Sequence, residues 1–177
     1  MAQPGQGCLR VSAGANDMKA MANKSNSLPA GYRLHQYRFE AVLGAGGFGI
    51  TYLSIHEALQ IQVAVKEYFP LEWCYRDRDE ISVLANSQGT LPDSNIGQQT
   101  YAYGLERFLY EARVLARINH PDVVRVRDFF EANGTAYIVM DYEDGEPLSH
   151  QLHKKTILPE AEVLRLDRKS TRLNSSH

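Results

Sequence analysis

Leu43-Gly44-Ala45-Gly46-Gly47-Phe48-Gly49-Ile50-Thr51-Tyr52 is the stretch that decides the fold of this chain. Gly44 to Gly49 fits G-x-G-x-x-G, a pattern that two unrelated folds use to bring backbone amides close to phosphate groups. In one of them the last glycine opens a helix whose N-terminus faces a pyrophosphate. Here Ile50, Thr51, Tyr52 and Leu53 follow the last glycine, and such β-branched and aromatic residues favour a strand. The glycines therefore read as a loop joining two antiparallel strands, Tyr37 to Leu43 and Ile50 to Ser54. Phe48 at its tip would shield a bound group from water.

Outward from this loop, a third strand runs from Gln60 to Tyr68 and contains Val63-Ala64-Val65-Lys66. Pro70 to Thr100 loses all periodicity and reads as a long loop, which compact domains rarely carry without a reason. A helix follows from Tyr103 to Ile118, with Leu105, Phe108, Leu109, Ala112, Leu115 and Ala116 forming one apolar stripe. Asn119-His120-Pro121 ends it, because proline excludes the helical conformation from the residue before it. Val123 to Phe130 and Thr135 to Tyr142 are two more strands, joined by the hairpin signal Asn133-Gly134. Short helices are expected at Pro147 to Lys154 and from Pro159 to Leu166. A strand lysine beside a phosphate-binding loop can neutralise phosphate charge if a carboxylate orients it. Glu111, at the margin of the apolar stripe, is the candidate. The plainer alternative is a surface pair with Arg107, one helical turn away.

Composition narrows the classes. With 177 residues, 44% of them hydrophobic, the chain can bury a core and is not disordered throughout. The 19 basic and 21 acidic residues nearly cancel, so there is no basic field for nucleic acid or an anionic membrane. No apolar run approaches the ~18 residues of a membrane span, nor does a signal peptide open the chain. Cys8 and Cys74 make neither a disulfide framework nor a metal knuckle, which points to a reducing, cytoplasmic setting. His35, His56, His120, His150 and His153 share no metal-ligand spacing with them, so no metal site is expected. Trp73 and Tyr75 read as local packing, and Arg76-Asp77-Arg78-Asp79-Glu80 as a solvated loop.

In combination these pieces resemble the N-terminal lobe of a protein kinase, most closely the bacterial serine/threonine kinases of the eukaryotic-like type. The match is carried by LGAGGFGITY at 43–52, VAVKEYFP at 63–70, FLYEARVLARI at 108–118, HPDVV at 120–124 and AYIVMDYEDG at 136–145. The resemblance covers about residues 37–166 and implies an α+β fold. It would be a kinase-like N-lobe of five antiparallel strands with one αC-type helix, the C-lobe being essentially missing. It implies that Lys66 anchors the phosphates of ATP and that Glu111 is its helix partner. Leu43, Gly44, Ala45, Gly46, Gly47, Phe48, Gly49, Thr51 and Ala64 would enclose the nucleotide. Met140 would be the gatekeeper behind the adenine, and Asp141, Tyr142 and Glu143 the hinge whose backbone binds its edge. The implied activity is transfer of the γ-phosphoryl of ATP to Ser or Thr of a protein, with Mg²⁺ held by residues of the full-length parent.

The departures are as informative. Thr51 stands where the family usually has Val, and the interval from Lys66 to Glu111 is longer than the family norm. No H-R-D-x-x-x-x-N, D-F-G or A-P-E motif follows Tyr142. The chain is therefore expected to hold the nucleotide-binding half of a kinase and to be catalytically inactive alone. Its expected organisation is a leader over 1–31, a partial kinase domain over 32–166, and a foreign or disordered tail over 167–177. Two other readings remain: a non-catalytic regulatory or interaction module on a kinase-like lobe, and, less favoured, a dinucleotide-binding oxidoreductase.

Overall fold

β-Branched and aromatic side chains make strands of the segments around the glycine loop, and the way they pair determines what each face can do. The computed structural model describes residues 26–86 and 96–145. The expected helices at Pro147 to Lys154 and Pro159 to Leu166, the leader as far as residue 25, and the tail over 167–177 lie outside these residues. In chain order the elements are β1 (Arg33–Leu34), β2 (Tyr37–Gly46), β3 (Gly49–His56), β4 (Ile61–Tyr68), β5 (Cys74–Arg76), β6 (Val83–Ala85), α1 (Ile96–Leu115), β7 (Val126–Ala132) and β8 (Thr135–Asp141). The main sheet is antiparallel with order β1-β2-β3-β4-β8-β7, while β5 and β6 form a separate two-stranded sheet.

The five expected strands are β2, β3, β4, β7 and β8, and one αC-type helix packs against them, as in the N-lobe of a kinase. The count needs one correction. His35, in the left-handed region at φ 53°, turns Arg33 and Leu34 back onto Arg38 and Tyr37 and adds a sixth, two-residue edge strand. Ordered structure also starts before residue 32. Leu28 is buried, its amide donates to the Tyr52 hydroxyl at 3.1 Å, and Gly31 N–H donates to the Phe39 carbonyl at 2.7 Å.

The segment read as a long loop contains β5 and β6, and α1 starts within it, well before Tyr103. Three-residue strands are too short to show a period of two, and the first helical turn, Gly97 to Thr100, has no apolar stripe. That turn is seated by backbone proximity instead: a Cβ on Gly97 would meet the Asn86 carbonyl oxygen at 2.2 Å. At the other end, Arg117 and Ile118 donate to the carbonyls of Val114 and Leu115, a tightened final turn that stops α1 sooner than Ile118.

Residues directly opposite in antiparallel strands share a face, so the register sorts the sheet into two sides. Ile50, Glu67 and Tyr137 line up on the outer side with Tyr52, Val65 and Val139, and every one of them is buried. Thr51, Lys66 and Ile138 line up on the inner side with Leu53, Ala64 and Met140. There Thr51, Leu53, Lys66 and Met140 remain half-buried. The core fills the outer side, closed by Leu28, Phe39, Phe69 and the β5–β6 hairpin, and continues on the inner side through Tyr68, Ile138 and the α1 residues Tyr101, Phe108, Leu109 and Ala112. On the inner side α1 covers only part of the sheet, through Tyr101 and Phe108 against Tyr68.

Candidate functional site

The glycine-rich segment is the hairpin between β2 and β3, with Gly44 opposite Thr51, Ala45 opposite Ile50 and Gly46 opposite Gly49. Gly49 opens a strand, so the helix that a dinucleotide-binding turn requires is absent. A side chain at Gly49 would meet the Glu67 carbonyl oxygen at 2.2 Å, whereas Gly44, Gly46 and Gly47 face open space. Phe48 at the tip is 78% exposed, and its carbonyl accepts from the Phe69 amide at 3.2 Å, which tethers the tip to the end of β4.

Beneath this hairpin, Thr51 and Lys66 face each other across β3 and β4, with Ala64 two residues back along the same side. Met140, the expected gatekeeper, lies opposite Ala64 and so borders the same strip as Leu53 and Thr51. Leu43 and Val42, toward the end of β2, are exposed. Asp141 ends β8, its amide donating to the Arg125 carbonyl at 3.0 Å and its carboxylate accepting from Arg127 Nε. Tyr142 and Glu143 continue from the strand end, the first half-buried and the second exposed. The side chain of Asp141 is thus engaged with its own sheet.

Lys66 and Glu111 meet on one cavity of about 590 Å³, walled by Phe48, Tyr68, Trp73, Tyr103 and Phe108 among others. They share its wall without forming an ion pair. The Lys66 ammonium instead stands 5.6 Å from the Phe108 ring centroid, within cation–π reach. Glu111 makes no pair with Arg107 either, whose guanidinium lies 5.5 Å from the Tyr110 ring. The helix is fixed nearer its start. A Cβ on Gly104 would sit 2.1 Å from the Tyr68 hydroxyl oxygen, and that hydroxyl donates to the Tyr101 carbonyl at 3.3 Å. Burial first, and then the nearby Cys74, pushes the Tyr68 phenol up to about 12, so it is a neutral donor at physiological pH.

The sequence reading missed the polar centre behind β4. Arg76 belongs to no solvated loop: its side chain is 4% exposed and its guanidinium pairs with the fully buried Glu67 at 2.7 Å. Of the rest of that charged run, Asp77 is half-buried and Arg78 to Glu80 are exposed as expected, with Asp79 accepting from the amides of Ile81 and Ser82. Trp73 lines the cavity but is exposed, and Tyr75 faces outward, so neither is the packed residue expected. A glutamate between Lys66 and Tyr68 in an otherwise apolar strand was the available signal, since a carboxylate there demands a cation.

Comparison with known proteins matches this arrangement to the protein kinase domain over residues 37–169. The serine/threonine-protein kinase PknA of Mycobacterium tuberculosis is 31% identical over 124 residues, which are 67% of this chain and 23% of that protein. Pkn3 of Myxococcus xanthus is 30% identical over 133 residues, 75% of this chain and 20% of that protein. Among solved structures, the apo form of PpkA-294 superposes with a TM-score of 0.71 at 34% identity, covering 80% of this chain and 48% of that one. The M. tuberculosis PknI kinase domain gives 0.54 at 26% identity, over 78% and 46% of the two chains. The chain therefore spans about a quarter or less of these curated relatives and about half of each solved kinase chain. With its glycine hairpin, strand lysine and the α1 helix all within the matched residues, the chain belongs to the protein kinase family, among relatives that are serine/threonine-protein kinases.

Proposed function

We propose that residues 37–145 form the ATP-binding half of a protein serine/threonine kinase. The observation that carries this reading is the placement of Lys66 opposite Thr51, beneath the glycine hairpin and on the same cavity as Glu111. The half-buried strip of Thr51, Leu53 and Met140, with buried Ala64 among them and Leu43 at its border, suits the flat apolar faces of adenine, and the backbone of Asp141 to Glu143 suits its polar edge. Lys66 would hold the α- and β-phosphates as a point charge. Glu111 would have to leave its present position on the cavity wall to orient that ammonium. Magnesium, where bound, neutralises charge on the phosphates. Among the described residues no group of three or more His, Cys, Asp or Glu is arranged to hold such an ion. The motifs that would accept the substrate proton and ligate the metal are not in these 177 residues. Residues 1–177 alone are therefore expected to bind nucleotide without transferring phosphate.

Calorimetric titration with ATP tests the first half of this reading, and an assay with radiolabelled ATP and a generic protein acceptor tests the second. Saturable binding without transfer is the expected result. Lys66-dependent transfer by the purified chain would overturn the assignment of inactivity. The absence of a Lys66–Glu111 pair favours a second reading, a non-catalytic kinase-like interaction module. Failure to bind ATP in the first titration would select it.

A further inference from the structure

Glu67 follows Lys66 directly on β4, and successive residues of a strand point to opposite faces. Its carboxylate therefore lies on the outer side of the sheet, with no exposed surface. Four bonds hold it there. Arg76 Nη1 donates to Oε1 at 2.9 Å and Nη2 to Oε2 at 2.7 Å, the Tyr52 hydroxyl donates to Oε2 at 2.7 Å, and the Tyr137 hydroxyl donates to Oε1 at 3.0 Å. Burial works against the guanidinium's charge, but the Glu67 bonds outweigh it and raise the Arg76 pKa. Tyr52 and Tyr137 are held neutral, first by burial and then by the Glu67 charge, so both serve as donors.

Arg76 does more than answer one carboxylate. Its Nε donates to the Asn26 carbonyl at 2.9 Å and its Nη1 to the Ile81 carbonyl at 2.7 Å, while the guanidinium stacks 4.8 Å from the Phe69 ring centroid. The hairpin that carries it is itself seated on the sheet, because the Val83 amide donates to the Asn133 carbonyl at 2.7 Å. One side chain thus joins β4, the segment before β1 and the β5–β6 hairpin. Stability alone does not call for such a group, since apolar residues of similar volume commonly serve a buried site as well as an ion pair. A bidentate pair adds geometry, for it holds the backbone that carries the carboxylate in one lateral position. On the inner side, Lys66 has the Phe108 ring as its cationic contact and no ion pair.

We propose that Arg76 is a positioning residue for Lys66, acting through Glu67 to hold β4, and with it the ammonium, in place beneath the glycine hairpin. This rests on the reading of Lys66 as the phosphate anchor, and it makes the insertion between β4 and α1 part of the nucleotide site's support.

The test is NMR on the full chain with ¹³Cε-labelled lysine, in which the Lys66 methylene carries the ring-current shift of Phe108 and Lys66→Arg assigns the signal. In Arg76→Met the Lys66 signal is expected to move toward the ordinary lysine position or to broaden. The double variant Glu67→Gln with Arg76→Met removes both charges together, leaves no buried charge unpaired, and carries the test if the single variant does not fold. Val83→Ala loosens the same hairpin without touching Glu67 and is expected to leave the signal in place. ATP should bind at least tenfold more weakly to the Arg76 variants than to Val83→Ala. A folded Arg76 variant with an unmoved Lys66 signal, or an equal shift in Val83→Ala, overturns the proposal. If the unaltered chain binds no ATP, the nucleotide-site reading fails, and the Lys66 signal still decides the positioning role.

Discussion

A single hydrogen atom at Gly104 lets α1 lie against β4. The Tyr68 ring that it faces is 5% exposed and is packed between Tyr101 and Phe108, so it has no room to swing aside. Gly104→Ala is therefore expected to destabilise the fold by ~1–3 kcal/mol, the usual cost of overpacking, read from chemical denaturation. Tyr68→Phe added to that variant removes the oxygen at 2.1 Å and should recover part of the loss. At the proposed nucleotide site the residue to test is Lys66. Lys66→Met keeps most of the side-chain volume and removes the charge, and it should weaken ATP binding by about tenfold or more, ~1.4 kcal/mol, in calorimetric titration. An unchanged affinity would show that the phosphates lie elsewhere.

Among the elements, the segment before β1 and the β5–β6 hairpin are the additions that seal the outer side of the sheet. The segment lies ahead of residue 37, where the family match begins, yet it supplies buried Leu28, the Leu28 bond to Tyr52 and the Asn26 carbonyl to Arg76. A chain shortened to start at Pro29 should lose ~2–4 kcal/mol, from one apolar side chain and two hydrogen bonds, and thermal unfolding would show it. An unchanged melting temperature would mean that these contacts contribute nothing net. The elements of the main sheet were legible because Tyr37 to Gly46, Gly49 to His56 and Ile61 to Tyr68 run for eight residues or more and are rich in β-branched and aromatic residues. The hairpin was hidden because its strands are three residues long and its one buried charge, Arg76, stands in a run of exposed ones. The start of α1 was hidden for a related reason: Gln98, Gln99 and Thr100 carry no apolar signal, and Gly97 is seated by backbone alone. Lys66 and the glycine loop could be named from local pattern. The gap between Lys66 and Glu111 could not, because it depends on where the helix is pinned, and that is decided at Tyr68 and Gly104.

Taken as a whole, the molecule has one dry side and one open side. On both sides of the sheet the buried groups include several whose titration opposes the folded state. Burial raises the Cys74 thiol from 9.0 to about 12 and the Tyr68 phenol from 10.0 to about 12, and it raises Tyr52, Tyr101 and Tyr137 as well. A group whose pKa is higher when folded contributes its full stability below the unfolded value and loses it as pH climbs toward the folded one. Stability should therefore hold steady up to about pH 9 and then fall between pH 9 and 12, with Cys74 first and the tyrosines after it. Cys74→Ala should blunt the earliest part of that fall in pH-dependent denaturation, and a fall that begins below pH 8 would contradict the assignment. The open side has a different consequence. Trp73, the chain's one tryptophan, stands 36% exposed on the wall that also carries Lys66 and Phe48. All indole emission therefore originates beside the cavity, with buried tyrosines near enough to feed it by energy transfer. The unmodified protein is its own optical probe, in which a change in colour or intensity reports a guest or a moving helix at that wall alone.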